Sequence, residues 1–322
     1  MIDLLDPELV DRDAVLDALP PVAWREGRRG PGYWAVRGYP EALAVLRDPV
    51  AFTSTLGTRP EVRRTADSIR PLHNMDPPAH TELRRVATKM LGDAKVIDAV
   101  VARYVDAFGE GDVIAQVAVP IVSELFAAWL GIPDPIGLHA DAMAVHVAGA
   151  AFLDDMTDAT REAATRASIA LEERVRGDRL LTVLVLAGLP TTIDAIGNAL
   201  AMITERPANL GAAIDASLEH APIQQFGRYA TRDVELGNVM VRAGQQVIVW
   251  FGAANRDPRR DGPHVSFGAG PHRCVGAAFA RRLLVAVMER WFVKRDRHVA
   301  RGVRRASSYM NGYVELFVTR KD

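Results

Sequence analysis

Apolar residues recur at helical spacing along most of the chain. Between residues 94 and 131 they lie three or four positions apart, and this period predicts two or more core helices. Three more stretches follow the same period, namely 138–175 with a break at 154–158, the long run 179–204, and 275–291. The pattern therefore predicts a protein built mainly of α-helices. In the first stretch the clearest apolar positions are Ile114, Val117, Ile121, Leu125 and Ala128.

Alternating apolar and polar residues predict short strands near both ends of the chain and in its second half. Residues 33–36 (YWAV) suit a strand, and the dipeptide Gly237-Asn238 predicts a hairpin turn. Residues 246–251 predict a buried strand, and residues 301–320 alternate like a closing hairpin. Together with the helices, these strands predict an α+β fold that is mainly α with small β-sheets.

A basic helix follows a proline-rich turn near residue 80. The segment HNMDPPAHTELRRVATKML opens with a turn whose prolines favour a helix start. His80 and Arg84 are four positions apart, so they share one face of that helix. Taken alone, the pair is a solvated cationic surface. Leu83, Val86, Ala87 and Met90 mark an apolar face of the same predicted helix.

Composition and charge indicate a soluble protein. Of the 322 residues, 49% are apolar, and the formal net charge is −1. This balance favours neither a nucleic-acid partner nor an anionic membrane surface. The acidic start MIDLLDPELVDRD lacks the features of a signal peptide. The longest strongly apolar run, near 180–189, is far shorter than the ~20 residues of a membrane span. We therefore expect a cytoplasmic protein.

The chemistry of the chain is concentrated in residues 267–276 (FGAGPHRCVG), which contain the only cysteine, Cys274. Gly268 and Gly270 can adopt positive φ and let the backbone lie flat against a large planar ligand. A helix is predicted to start directly after the cysteine, and a helix N-terminus favours the thiolate. A thiolate in a glycine-rich loop is what axial ligation of haem iron requires.

Two other interpretations of the cysteine stay open at this point. A single cysteine is most often a small buried hydrophobic residue. Cys274 could also be a nucleophile with His272 as its base, although two residues so close in a tight loop have poor geometry for that reaction.

The pattern Phe267-x-x-Gly270-x-x-x-Cys274-x-Gly276 resembles the haem-binding loop of the cytochrome P-450 family. The resemblance covers roughly residues 20–320 and is strongest from Arg228 onward, with two or more internal deletions. It implies a single cytochrome P-450-like domain over residues 1–322 and haem b (iron protoporphyrin IX) as the cofactor.

The resemblance also implies roles for individual residues. Cys274 would be the iron ligand, and the distal face above the iron would be formed by Ala187, Gly188 and Thr191 from the AGLPTT segment. A set of basic residues would bind the haem propionates, and three residues would form the loop beside the ligand. The basic set is His80, Arg84, Arg228 and His272, and the loop set is Phe267, Gly268 and Gly276.

The sequence departs from the family at two places. Pro190 stands where the family carries an acid beside the threonine, so it either kinks the helix or splits it, with residues 191–194 as a capping box. The buried Glu-x-x-Arg pair is replaced by Ala216 and Glu219, and Glu219 is then interpreted as a surface charge.

The implied function is a haem-thiolate monooxygenase that inserts oxygen from O₂ into a small hydrophobic substrate. The segments ATRDVELG and HNMDPPAHTELRR resemble those of actinobacterial members that oxidise steroid or lipid side chains; secondary metabolites are a further substrate class. Electrons would come from a ferredoxin or flavodoxin with its reductase. Two alternatives stay open: a haem protein with peroxide-driven, dehydration or cyclisation chemistry, and a degenerate member that acts as a non-catalytic partner protein.

Overall fold

The structure is a computed structural model that describes residues 2–28, 30–61, 72–90, 95–150, 157–293 and 297–320, with 95 and 147–150 in backbone only. It divides into two compact units. The first consists of Met1–Val86, Glu219–Val275 and Ala306–Asn311, and the second of Ala87–Leu218, Gly276–Arg305 and Gly312–Asp322.

The first unit is built around a five-stranded sheet. Its strands follow the order β1-β2-β8-β5-β3, in which β2 and β8 run parallel and the other neighbours run antiparallel. These strands are β1 (Val22–Arg25), β2 (Tyr33–Val36), β3 (Phe52–Thr53), β5 (Gln225–Ala230) and β8 (Gln246–Trp250). A separate hairpin joins β6 (Val234–Leu236) to β7 (Val239–Val241), and the helices are α1 (Arg12–Asp17), α2 (Tyr39–Arg47), α10 (Phe251–Asn255) and the start of α3 (Ala79–Met90).

The core of this unit lies between the sheet and α2. All five residues of β8 are buried, which explains the continuous apolar run of that strand. Helix α2 starts after Gly38 with a proline in its first turn and buries one face against the sheet. The buried residues of that face include Ala42, Val45 and Leu46.

The second unit is a helical assembly with a small sheet. Its helices are α4 (Lys95–Ala107), α5 (Val119–Leu130), α6 (Pro135–Ala150), α7 (Asp158–Arg174), α8 (Arg179–Met202), α9 (Leu210–Leu218) and α11 (Ala277–Trp291). A single π-helical turn, Ile114–Ala118, precedes α5. The sheet has the order β4-β10-β9, with β4 (Gly111–Asp112), β9 (Arg297–Arg304) and β10 (Tyr313–Arg320).

Helix α8 is the long central helix of the second unit. It begins after Asp178, whose carboxylate accepts the N–H groups of Leu180 and Leu181. The helix continues through Pro190, so the prediction that Pro190 splits it is wrong. By length and composition α8 could cross a membrane, but 61% of its most apolar window is buried, as in the core helix of a soluble protein. Taken together, Ile114–Leu130 and Pro135–His146 pass the same test with a bend of 102°.

Most predicted elements are present. The strand at residues 33–36, the hairpin around Gly237 and the closing pair of strands are confirmed. Val86 was predicted to be on the apolar face of α3, but its side chain is 47% exposed. Ala128 of α5 is also exposed, since the buried face of that helix ends one position earlier. The single domain over the whole chain remains a prediction.

Candidate functional site

The cysteine loop is held by its own backbone hydrogen bonds. The N–H of Cys274 donates to the carbonyl of Phe267 at 2.7 Å, and the N–H of Arg273 donates to the carbonyl of Gly270 at 3.1 Å. Gly268 and Gly270 have φ values of 68° and 66°, as the sequence predicts. At Gly270 a β-carbon would lie 2.5 Å from the carbonyl oxygen of Leu46, so only glycine fits there.

The loop presents its cysteine side chain outward. Cys274 is exposed and lies two residues before Gly276, the N-cap of α11. The interpretation of Cys274 as a buried hydrophobic residue is therefore wrong. The His272 Nε2 atom lies 3.1 Å from the Ser54 hydroxyl and 3.8 Å from a carboxylate oxygen of Asp76, so this nitrogen is directed toward those groups.

The first unit brings the four predicted basic residues to one place. The rings of His80 and His272 are in contact, with their centroids 4.1 Å apart and their planes tilted by 39°. His80 and Arg228 are each only 2% exposed, and the Nδ1 atom of His80 has no hydrogen-bond partner among the described residues. Burial lowers the pKa of the Arg84 guanidinium, and Cys274 lies close enough for a negative charge on its sulfur to act in the opposite direction. We call His80, Arg84, Arg228 and His272 the cationic cluster.

Both histidines of the cationic cluster are held neutral. Burial lowers the pKa of His80 to about 4, and the neighbouring His272 and Arg84 lower it further. Burial also lowers the pKa of His272, with Asp76 acting in the opposite direction. The positive charge of the cluster therefore comes from its two arginines, and the histidines contribute as uncharged rings.

Arg228 is a buried cation with little protein to neutralise it. Its Nη1 donates to the carbonyl of Gly227 at 2.8 Å, and the guanidinium lies over the ring of Phe226. Burial lowers the pKa of Arg228 to about 10, and among the described residues Asp76 acts to raise it. A buried guanidinium of this kind favours an anionic partner.

Asp76 is the acidic member of this region, and the sequence analysis did not single it out. Its carboxylate accepts the N–H of Ser54 at 3.1 Å, the hydroxyl of Ser54 at 2.7 Å, and the hydroxyl of Thr53. Burial alone would raise the pKa of Asp76, but hydrogen bonds from His272, Thr53 and Ser54 outweigh it and hold the pKa well below its usual range. Asp76 is therefore ionised at neutral pH.

Glu219, predicted to be a surface charge, is partly exposed and has an ion-pair partner that the sequence analysis did not name. Its carboxylate accepts a hydrogen bond from Arg260 Nη2 at 2.7 Å, and the two side chains are 36% and 22% exposed. The same guanidinium donates to the carbonyls of Asn255 and Gly262 at 3.0 and 2.9 Å. The sequence analysis did not identify this partner because Arg260 lies 41 residues away along the chain.

This ion pair is connected to the cysteine loop. The side chain of Asn255 donates to the carbonyl of Glu219 and to the hydroxyl of Ser266, both at 2.8 Å, and accepts the N–H of Val265 at 2.7 Å. Ser266 precedes Phe267, which is partly buried with its ring 5.7 Å from that of His264. The Glu219–Arg260 pair thus braces the segment that leads into the loop.

The predicted distal residues lie in the middle of α8, in the second unit. Ala187 is exposed and Thr191 is partly exposed. The Thr191 hydroxyl donates to the carbonyl of Ala187 at 2.8 Å. Gly188 has a use that the sequence did not indicate, since a β-carbon there would lie 2.5 Å from the ring of Phe126. The space at Gly188 is filled by that ring, which leaves Ala187 as the open small residue.

Comparison with known proteins decides the family. No family model matches the chain. Cytochrome p450 CYP199A2 of Rhodopseudomonas palustris is 30% identical, over 77% of this chain and 76% of that protein. The chain belongs to the cytochrome P450 family. Probable cytochrome P450 127A1 of Sinorhizobium fredii is 28% identical, over 87% of this chain and 81% of its own. The alignment of the two sequences covers 339 positions, more than the 322 residues of this chain, so it contains gaps where this chain lacks residues that the relative has.

The fold agrees with this membership. The solved structure of cytochrome P450-153 from Novosphingobium aromaticivorans matches with a TM-score of 0.80 and 22% identity, covering 98% of each chain. The predicted fold class is therefore confirmed. Cytochrome P450 relatives bind haem and are generally monooxygenases.

The cationic cluster fits the acidic edge of a haem. Among the residues that the structure describes here, Arg84 and Arg228 carry two positive charges and Asp76 carries one negative charge, so the described part of this region has a surplus positive charge. The unpartnered Nδ1 of His80 and the buried guanidinium of Arg228 are polar groups that carboxylates satisfy. The residues present therefore fit the propionates of a haem. Gly276, predicted to lie beside the ligand, is the N-cap of α11 with φ of −87°.

Proposed function

We propose that this protein is a haem-thiolate monooxygenase in which Cys274 ligates the iron of haem b. The observation that carries the proposal is the meeting, in one unit, of an exposed cysteine on a glycine loop with a cationic cluster that has a surplus positive charge. The chemistry supplied by bound haem is activation of O₂ and insertion of one oxygen atom into a C–H bond.

The residues of the chain would bind and orient the cofactor. Arg84 and Arg228 hold the propionates by charge-assisted hydrogen bonds, and His80 donates from an uncharged ring. The loop from Phe267 to Cys274 fixes the sulfur through the short N–H to carbonyl bond at its base. Gly268 has no side chain, so the loop backbone can approach the ligand at this position. A β-carbon there would lie 3.6 Å from the carbonyl oxygen of His272 in the same loop.

We further propose that Ala187, Gly188 and Thr191 of α8 serve oxygen binding. Ala187 leaves room there because it is small and exposed. The Thr191 hydroxyl uses its proton in the bond to the Ala187 carbonyl, so its lone pairs can accept a proton or a water hydrogen. We propose a small hydrophobic substrate, of the steroid, lipid or secondary-metabolite class, and a ferredoxin or flavodoxin with its reductase as the electron source.

A second candidate is haem chemistry without reductive activation of O₂, such as peroxide-driven oxidation, dehydration or cyclisation. Pro190 favours it, because the position that carries an acid in the family cannot hold a proton here. Such reactions place a smaller demand on delivered protons than the splitting of O₂ does.

The test is the absorption spectrum of the reduced, CO-bound protein, freshly purified. We expect one haem per chain and the maximum typical of thiolate ligation, abolished in Cys274→Ala and kept in the neighbouring control Val275→Ala. Protein that purifies without stoichiometric haem would contradict both haem functions and favour a partner protein. Product formed with a ferredoxin system and not with peroxide separates the monooxygenase from the second candidate.

A further inference from the structure

The central helix contains a buried acid that the proposed function does not use. Asp194 is the only acidic residue of α8 and is 0% exposed. Its Oδ1 atom lies 3.4 Å from Arg305 Nη2, which is a long hydrogen bond. Within the described part of the chain, neither Asp194 Oδ2 nor Arg305 Nε has a partner. Two orphaned polar atoms on one ion pair indicate a bound water or an exchanging proton.

The backbone of the closing strands covers this carboxyl group. A β-carbon on Gly312 would lie 2.1 Å from Asp194 Cγ, so only glycine fits over it. The N–H of Arg305 donates to the carbonyl of Gly312 at 3.0 Å, which fixes the two strands in that position. The carboxyl group is therefore closed off on this side.

Asp194 shares a helix face with the predicted oxygen-binding residues. It follows Ala187 by seven positions and Thr191 by three, and these spacings place the three side chains in one row. Exposure falls along the row, from exposed Ala187 through partly exposed Thr191 to fully buried Asp194. Asp194 thus lies at the closed end of the row, about 5 Å beyond Thr191 along the axis.

We propose that Asp194 stores and delivers the proton that the family acid, replaced here by Pro190, would otherwise handle. This inference rests on the proposed monooxygenase function. Conversion of O₂ and a C–H bond to an alcohol and water consumes two electrons and two protons. The electrons come from the external electron-transfer protein. For each proton, the Oδ2–H bond of Asp194 breaks and the proton passes to a water that donates a hydrogen bond to the lone pair of the Thr191 hydroxyl, and that water passes a proton on to the oxygen being reduced. Asp194 then takes up a new proton from water.

The surroundings of Asp194 support exchange near neutral pH. Burial raises the pKa of Asp194 to about 6, against the opposing charges of Arg305 and Arg304 on β9. From α6, His139 faces Arg305, and burial together with that cation lowers the pKa of His139. A group that releases its proton near the working pH is suited to general-acid work.

The first test does not depend on turnover. Infrared spectra of the purified holoprotein are recorded below and above pH 6 for the wild type, Asp194→Asn and the control Asp215→Asn. Asp215 is ion-paired to Arg281 but 49% exposed. We expect a protonated carboxyl band that titrates at about pH 6 in the wild type and the control and is missing in Asp194→Asn. Identical titrating bands in all three proteins would overturn the proposal.

The second test compares two oxidants. With O₂ and an electron donor, Asp194→Asn should slow product formation roughly 100-fold. With hydrogen peroxide, which already carries both protons, the rate should be unchanged. Equal losses with both oxidants would overturn the proposal and indicate a structural role. If the wild type forms no product with either oxidant, the proposed function fails, whereas the infrared titration still decides whether Asp194 exchanges a proton.

A second variant covers the case in which Asp194→Asn does not fold. Because Arg305 lowers the pKa of Asp194, Arg305→Gln should move the midpoint of the carboxyl band to higher pH. A midpoint that stays in place would contradict the pairing and with it the proposal.

Discussion

The partly buried Asp76 and the fully buried Asp194 have opposite protonation behaviour. Asp76, in the first unit, accepts hydrogen bonds from Ser54 and Thr53 and faces the cationic cluster, so its pKa is held well below the usual range. Asp194, in the second unit, has one long bond to Arg305 and an orphaned oxygen, and burial raises its pKa to about 6. Burial acts in the same direction on both carboxyl groups, and the number of donors decides the outcome.

The difference separates two uses of a carboxyl group. Asp76 is a permanent negative charge that partly neutralises two arginines before a ligand arrives. Asp194 has no such surplus of donors, so it holds its proton until the pH or a neighbouring acceptor removes it. The first arrangement suits binding, and the second suits proton transfer.

The largest expected effect is on the pH dependence of stability in Asp194→Asn. Because the pKa of Asp194 is raised in the folded state, the free energy of unfolding of the wild type falls as the pH rises from below 4 through about 6. The penalty at pH 8 is about 3 kcal/mol, since each unit of pKa corresponds to about 1.4 kcal/mol. Asparagine resembles the neutral acid, so the variant should be more stable than the wild type at pH 8 and about equal at pH 4. Urea unfolding at both pH values measures this, and a variant less stable at pH 8 would contradict it.

Asp76→Asn should lower the free energy of unfolding by about 2 kcal/mol at neutral pH, because charge-assisted hydrogen bonds to the carboxylate are lost. Because the folded pKa of Asp76 is depressed, its contribution is present at neutral pH and disappears as the pH falls below about 4. The deficit of the variant should therefore be largest at pH 7 and shrink in acid. Glu82→Gln, an exposed change in helix α3, which begins three residues after Asp76, is the control. A deficit that is constant with pH would refute the assigned role.

Much of the fold and part of the site follow from local sequence patterns. His80 and Arg84 share a face because they are one helical turn apart. The two glycines of the cysteine loop predict the positive φ values that the structure shows. Arg228 could be assigned only through the family resemblance, since its position on a buried strand gives no sign of a ligand. His80, Arg84 and the loop glycines could be predicted because their roles depend on local helix and turn geometry, which the sequence encodes directly.

The partners of these residues could not be predicted, because they come from distant segments. Ser54 and His272 are 218 positions apart, and Asp194 and Arg305 are 111 apart. Pro190 shows a related limit. Local rules predict a break or kink, but Leu189 and Pro190 are buried, and the hydroxyls of Thr191 and Thr192 donate to carbonyls of the preceding turn. Tertiary packing and these side-chain bonds keep the helix continuous.

A smaller effect is expected when the cationic cluster loses a charge. Arg228→Met keeps the volume of the buried side chain and removes the guanidinium, so on the proposed function haem should be held about 10-fold less tightly. The rate of haem transfer to an excess of a haem-scavenging apoprotein measures the change. Arg232→Met, at an exposed turn beyond the same strand β5, should leave that rate unchanged. Equal rates for Arg228→Met and the wild type would remove Arg228 from the propionate site.

The smallest expected effect tests whether Glu219 and Arg260 form a working brace. Both side chains are partly exposed, so the coupling between them is about 1 kcal/mol at most. A double-mutant cycle with Glu219→Gln and Arg260→Gln, followed by urea unfolding, should give a coupling of roughly 0.5–1 kcal/mol. The exposed pair Asp233 and Arg242, treated in the same way, serves as the comparison and should show a smaller coupling. The Glu219 carboxylate holds Arg260, which donates to the carbonyl of Asn255, and the Asn255 side chain donates to Ser266 beside the cysteine loop. Glu219→Gln should therefore also speed haem loss slightly, whereas Asp233→Asn should not. A coupling near zero at Glu219 would restore its interpretation as an ordinary surface charge.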